Sequence, residues 1–268
     1  MNPATNDDPV EFFDCDVLAG VTLRSPHPGF DGAALCAELD RCGIARALVY
    51  TFGLGPCAWE AQNRTTRAMV AGQSGLVPCF VLPQYGPVLG ESVLPVVEDL
   101  LAQGARCVRL DGEIGPASGP LTLDNFPDSA AVWRRLEESR TPVLIPGAHL
   151  PETGRRFGYG LDAVVAFCAR HPALPVVLLS PPYALEQLLA HALASAENLH
   201  LSVARLGVFG QLEAFVRLFG ARRFLFGSGL PGNDPAIARG VVRYAALAAA
   251  EQGLIASGNL ERLLSRHD

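Results

Sequence analysis

Three side chains of this sequence have the type and placement for acid–base chemistry: Asp16, Asp111 and His149. Asp16 lies near the end of the run VEFFDCDV, Asp111 near the end of ARCVRLDG, and His149 two residues past TPVLIPG. A carboxyl buried beside a second carboxylate is driven toward its neutral form and can then exchange a proton near neutral pH. Asp111 set beside Asp16 is therefore a general-base candidate. Its plainer role is to cap the loop at Gly112. His149 suits proton transfer or metal ligation, or is a solvated loop residue. Arg205 directly follows the run NLHLSVA, and its guanidinium fork matches a carboxylate. Ser180, Tyr183 and Ser228 stand just past apolar runs and offer hydroxyls to a substrate. No G-x-S-x-G elbow surrounds either serine, so a serine nucleophile has little support. A dinucleotide site is not expected either.

These residues share a position in the chain's rhythm. Eight short apolar runs, beginning near residues 10, 45, 75, 105, 141, 174, 198 and 222, alternate with stretches of helical spacing. The runs lack clean period-two alternation, as parallel strands buried on both faces do. Asp31 is placed to cap a first helix ending at Gly43. The last segments are expected to be helical over about 234–252 and 259–266. Eight strand–helix units in 268 residues predict a single α/β domain, a (β/α)8 TIM barrel spanning 10–268 behind a loose tail at 1–9. In such a barrel the active site lies at the C-terminal ends of the strands, where the candidates fall.

The stretch RRFLFGSGLPGNDP, Arg222 to Pro235, resembles the R-x-L-F-G-S-D-x-P signature of the amidohydrolase-related (amidohydrolase 2) family of metal-dependent hydrolases. ELDRCGIARALVY (38–50), RTPVLIPG (140–147) and GNLERLL (258–264) resemble further family segments, in the family's order. The resemblance implies a metal-dependent-hydrolase-like barrel, hydrolytic or decarboxylating chemistry, and zinc or another divalent ion. Carried over one at a time, the family's metal residues fail. Asp14 matches a leading aspartate, but Asp16 and Leu18 stand where two histidines would be. Pro146 replaces a third histidine, Ser180-Pro181-Pro182-Tyr183 an H-x-G-G, and Gly229 an aspartate. Leucine, proline and glycine side chains cannot ligate, and serine suits zinc poorly. No metal and no other cofactor is expected.

Composition narrows the remaining readings. All 21 basic residues are arginine, which fits a GC-rich bacterial genome and excludes Schiff-base, carbamylated and P-loop lysines. The net charge is −6 with scattered arginines, so no nucleic-acid footprint is expected. The mean hydropathy of +0.23 suits a well-buried soluble protein, and neither a signal peptide nor a membrane span is read. The seven cysteines lack C-x-x-C spacing and read as reduced thiols of a cytoplasmic protein. Three functional readings stand together. One is a metal-independent hydrolase or lyase acting on a small carboxylated molecule in the barrel mouth, with Asp16, Asp111 and His149 as its polar centre. A second is a non-catalytic pseudoenzyme that binds a metabolite or protein partner. The third is a metal site relocated to Asp16, Asp111 and His149. A homodimer through an apolar helix near 245–250 is expected.

Overall fold

A computed structural model describes residues 10–20, 29–52, 59–83, 92–110, 123, 128–147, 160–181 and 185–265. Its strands are β1 (Phe13–Ala19), β2 (Arg46–Thr51), β3 (Leu76–Pro78), β4 (Phe80–Leu82), β5 (Val108–Leu110), β6 (Val143–Pro146), β7 (Val176–Leu179), β8 (Leu199–Ser202) and β9 (Phe224–Leu225). All pair in parallel, in the orders β1-β2-β3 and β4 through β9. β3 and β4 are the two halves of the expected third strand, divided at Cys79, whose N–H still reaches Val49 O at 2.8 Å. At the other end of the series, Cys15 N donates to Phe226 O at 3.0 Å and Leu18 N to Leu230 O at 2.9 Å. The eighth strand position is thereby bonded back to the first, and the fold is the (β/α)8 barrel read from the eight runs.

Burial separates the runs into two faces that the sequence alone does not distinguish. Phe13, Cys15, Leu48, Cys79, Cys107, Leu144, Val177, Leu179 and Leu225 form one cluster, the barrel interior. Their strand neighbours Val49, Phe80, Val108, Ile145, Leu178, Leu201 and Phe226 pack outward against the helices. Inner and outer positions alternate because successive side chains of a strand point to opposite faces. Leu260, Leu263 and Leu264 of the C-terminal helix (Asn259–Leu264) join the interior cluster. Arg46, the first residue of β2, pairs with Glu261 of that helix at 2.7 Å. The helix thus closes the end where the strands begin, and the C-terminal end is left as the mouth.

The split third strand has a local cause. The helix Trp59–Val70 buries Gln62, Asn63 and Thr66 against the wall. Asn63 Nδ2 donates to Val81 O at 2.9 Å and Val81 N donates to Asn63 Oδ1 at 2.8 Å. Thr66 Oγ1 accepts from Thr51 N at 3.1 Å, and Gln62 Nε2 donates to Thr51 O. Side chains here replace the backbone ladder, so β2 and β4 need not pair to satisfy their polar groups.

The expected helix over 234–252 is broken. Helices run Pro235–Arg243 and Ala249–Gly253. Between them Glu213 Oε1 captures Ala246 N at 3.0 Å and Gln252 Nε2 donates to Ala245 O at 3.1 Å, competing with helical hydrogen bonds. Ala245 is buried, so 245–250 is not the continuous apolar helix imagined for a dimer. The segments 1–9 and 266–268 lie outside the described residues.

Candidate functional site

At the mouth the first strand changes phase. Its register to β2 steps from Asp14↔Ala47 to Val17↔Val49, three residues against two. This is a β-bulge, which re-aims side chains. Cys15 keeps to the interior, and Asp16 next to it also reaches an inward-facing partner. Arg109, two residues after inward-facing Cys107, donates from Nη1 to Asp16 Oδ1 at 3.1 Å. The guanidinium lies over the Tyr50 ring, 3.6 Å from its centroid, and Tyr50 borders the same interior cluster. Ser180 Oγ donates to Asp16 Oδ2 at 2.8 Å. Asp16 and Arg109 are 5 % and 7 % exposed. Their attraction therefore acts in a weakly screened setting, and neither charge could be removed singly without stranding the other.

The hydroxyl of Ser180 is held in place at a conformational cost. Ser180 has φ +45°, a left-handed value that costs a serine about 1 kcal/mol. Its N–H donates to Ser202 Oγ at 2.9 Å. Gly147, past β6, makes this approach possible. A Cβ there would stand 2.4 Å from Leu179 O and 2.8 Å from Pro181 Cα.

Beside this cluster lies a second carboxyl. Asp14 is fully buried, and burial pushes its pKa up to about 7 against the opposing pull of hydrogen bonds from Ser228 and Asp16. Its Oδ1 accepts from Asp16 N and Ser228 N, each at 2.9 Å. Its Oδ2 has no hydrogen-bond partner among the described residues. Asp14 thereby ties the β1 bulge to the exit of β9.

The expected site residues divide accordingly. Asp16 and Ser180 meet, while Ser228 contacts Asp14 through its backbone. Arg205, expected as the clamp on a carboxylate, is exposed on the turn after β8; among the described residues the buried guanidinium of the mouth is Arg109. Sequence reasoning passed over Arg109, although a charged residue inside the apolar run CVRL was the signal to find it. Asp111, His149 and Tyr183 lie outside the described residues.

Two other readings can be tested at the mouth. Gly227 to Gly232, GSGLPG, does have G-x-G-x-x-G spacing between β9 and the helix Pro235–Arg243. Its three central N–H groups are committed, Ser228 N to Asp14, Gly229 N to Asp16 O and Leu230 N to Ser228 Oγ. Asp234 caps the helix through Ala236 N, so this is no phosphate cradle. A divalent metal ion fares no better. Among the described residues no group of three His, Cys, Asp or Glu side chains could hold one. Both Asp16 oxygens accept hydrogen bonds, one from a guanidinium. A Cβ at Gly229 would stand 2.5 Å from Asn233 Nδ2, so Asn233 fills the space that a side chain at 229 would enter. The described donor set does not fit a metal.

No family model matches the sequence, and no curated protein does. Solved structures do match. A 2,6-dihydroxybenzoate decarboxylase from Rhizobium superposes with a TM-score of 0.73 at 14 % identity, over 95 % of this chain and 98 % of that one. A dihydroxybenzoic acid decarboxylase from Polaromonas, with bound manganese and the inhibitor 2-nitroresorcinol, gives 0.70 at 14 % identity over 95 % and 96 %. A putative amidohydrolase from Staphylococcus aureus gives 0.70 at 12 % identity over 95 % and 99 %. The chain thus has the fold of the proteins that its motifs resemble. At these identities the likeness establishes the fold.

Proposed function

We propose that this barrel is a metal-independent lyase or hydrolase acting on a small carboxylated molecule held in its mouth. The observation that carries the reading is the buried cluster of Asp16, Arg109 and Ser180 at the C-terminal end of the strands. Barrels of this kind place their chemistry there, and a buried ion pair is a poor choice for stability alone. The fold shared with decarboxylases of dihydroxybenzoates supports a carboxylated substrate. Asp16, fixed by two donors, is oriented to accept a proton or to polarise a bound water. Arg109 balances negative charge on the substrate. Asp14 holds a carboxyl that titrates near neutrality directly beside the Asp16 backbone.

The test is turnover of a panel of small aromatic and aliphatic carboxylates by purified protein in chelator, following carbon dioxide release and substrate loss. Turnover that survives chelation and is lost in Asp16→Asn, with circular dichroism showing an intact fold, supports the reading. Turnover that requires added metal refutes metal independence. Binding without turnover would favour a non-catalytic metabolite binder. One observation speaks for that alternative: both Asp16 oxygens already accept hydrogen bonds from the protein.

A further inference from the structure

We propose that the Arg109 guanidinium is the resident cation of the mouth, filling the electrostatic role that a divalent ion would otherwise take, and that it anchors the carboxylate of a small monocarboxylate ligand. The proposal rests on the reading of the mouth as a carboxylate site and names the group that recognises it.

Four observations converge on Arg109. First, its position on β5 is inward, in phase with Cys107 and out of phase with outward-facing Val108 and Leu110. Secondly, it is held from two directions, by the Tyr50 ring at 3.6 Å and by Asp16 Oδ1 at 3.1 Å. A guanidinium fixed in this way loses little freedom when a ligand arrives. Thirdly, the cluster beneath it is apolar, built of Cys15, Cys79, Cys107 and Leu144. A low-dielectric floor strengthens any charge–charge contact made above it. Fourthly, the protein maintains Ser180 at φ +45° to hold Asp16 from its other side. Non-glycine residues held at left-handed values cluster at active sites and ligand clamps.

The same geometry selects the ligand. A divalent ion entering beside Asp16 would meet the guanidinium already paired with that carboxylate. An anion meets a cation whose planar donors match two carboxylate oxygens. Among the described residues Arg109 is the one buried arginine, and it is already shared with Asp16, so little positive charge is left to balance a ligand. A monocarboxylate suits that balance better than a phosphate or a dicarboxylate.

The experiment is calorimetric titration of the full-length protein with benzoate and with its uncharged isostere benzamide, both in EDTA. The wild type is expected to bind benzoate at least about tenfold more tightly than benzamide, the worth of one charge-assisted hydrogen-bonded contact. Arg109→Met leaves Asp16 buried without its partner, so the double variant Arg109→Met with Asp16→Asn removes both charges and protects the fold, checked by circular dichroism. The double variant is expected to lose the preference for benzoate while its affinity for benzamide stays within about threefold, because only a charge-dependent contact is gone. Arg109→Lys is expected to lose most of the preference too, since an ammonium offers no planar fork. A double variant that still prefers benzoate overturns the role of Arg109. Benzoate binding that disappears in EDTA and returns with manganese overturns the resident cation but leaves a carboxylate site standing. A wild type that binds neither probe overturns the carboxylate reading itself, and with it this proposal.

Discussion

Replacing Asp14 by asparagine should change the pH dependence of stability in a way that few single substitutions would. The Asp14 carboxyl titrates at about 7 in the folded protein against an ordinary carboxyl value of 3.8. A carboxyl with a raised folded pKa favours folding fully only below the unfolded pKa. As pH rises through 3.8 the unfolded chain ionises while the folded protein stays protonated, and stability is lost until the folded group also ionises near 7. A shift of about three units corresponds to about 4 kcal/mol between pH 4 and pH 8, an upper value because the buried site can relax. Asparagine keeps the Oδ1 acceptor for Asp16 N and Ser228 N, and its amide puts N–H groups where Oδ2 has no described partner. That amide costs roughly 1–3 kcal/mol at every pH. The difference in unfolding free energy between variant and wild type should therefore rise by 2–4 kcal/mol from pH 4 to pH 8, whatever its absolute sign. Urea unfolding followed by circular dichroism at half-unit pH steps measures it. His200 must be considered in the wild-type curve. Burial and the neighbouring Arg223 and Arg262 lower its pKa to about 3, so its stabilising effect is lost as pH falls below its unfolded value of 6.5. Between about pH 4 and 6.5 the two groups oppose each other, and together they leave the wild type nearly flat. Asp14→Asn should uncover the His200 slope, with stability rising with pH over that window. A variant curve parallel to the wild-type curve from pH 4 to 8 would refute the buried, neutral Asp14.

Three further outcomes are expected. Arg140 is exposed at the end of the helix Ser129–Glu138 with φ +49°, so Arg140→Gly should stabilise the protein by roughly 0.5–1 kcal/mol in urea without affecting ligand binding. Ser180→Gly relieves the same kind of strain but removes a hydrogen bond to Asp16. Its stability should stay within about 1 kcal/mol of wild type while carboxylate turnover or binding falls; unchanged binding would argue against a role for Ser180. Asn63→Leu strands both Val81 backbone groups and should cost about 2–4 kcal/mol, with Gln62 and Thr66 unable to replace it. A loss below 1 kcal/mol would show that the split strand can re-pair.

Local pattern was enough to read the barrel. Eight apolar runs separated by helical spacing leave few other ways to bury both faces of every strand, and the motif near residues 222–235 lies at the eighth exit as expected. The placement of Asp16 and Ser180 at the mouth was legible for the same reason, since a polar residue that ends a buried run must face the mouth or be satisfied nearby. What the run pattern could not show was phase. In strands apolar on both faces, inward and outward positions look alike in sequence, so the charge in CVRL marked Arg109 as unusual but did not say that it faces Asp16. The bulge between Asp14 and Val17 arises where β1 bonds to both β2 and residues 226–230, partners about 30 and 200 positions away in the chain. That long-range fit made Asp14 the buried carboxyl with the raised pKa and turned Asp16 toward a guanidinium, whereas the sequence pointed to Asp16 or Asp111 as the perturbed carboxyl. The break at 244–248 has the same origin: its alanines and leucine favour a helix, and side chains of Glu213 and Gln252 took the backbone groups instead. Composition and spacing determined the architecture because burial is a property of each run. The site was decided by the closed barrel, because hydrogen bonds and ion pairs depend on which residues of distant strands face one another.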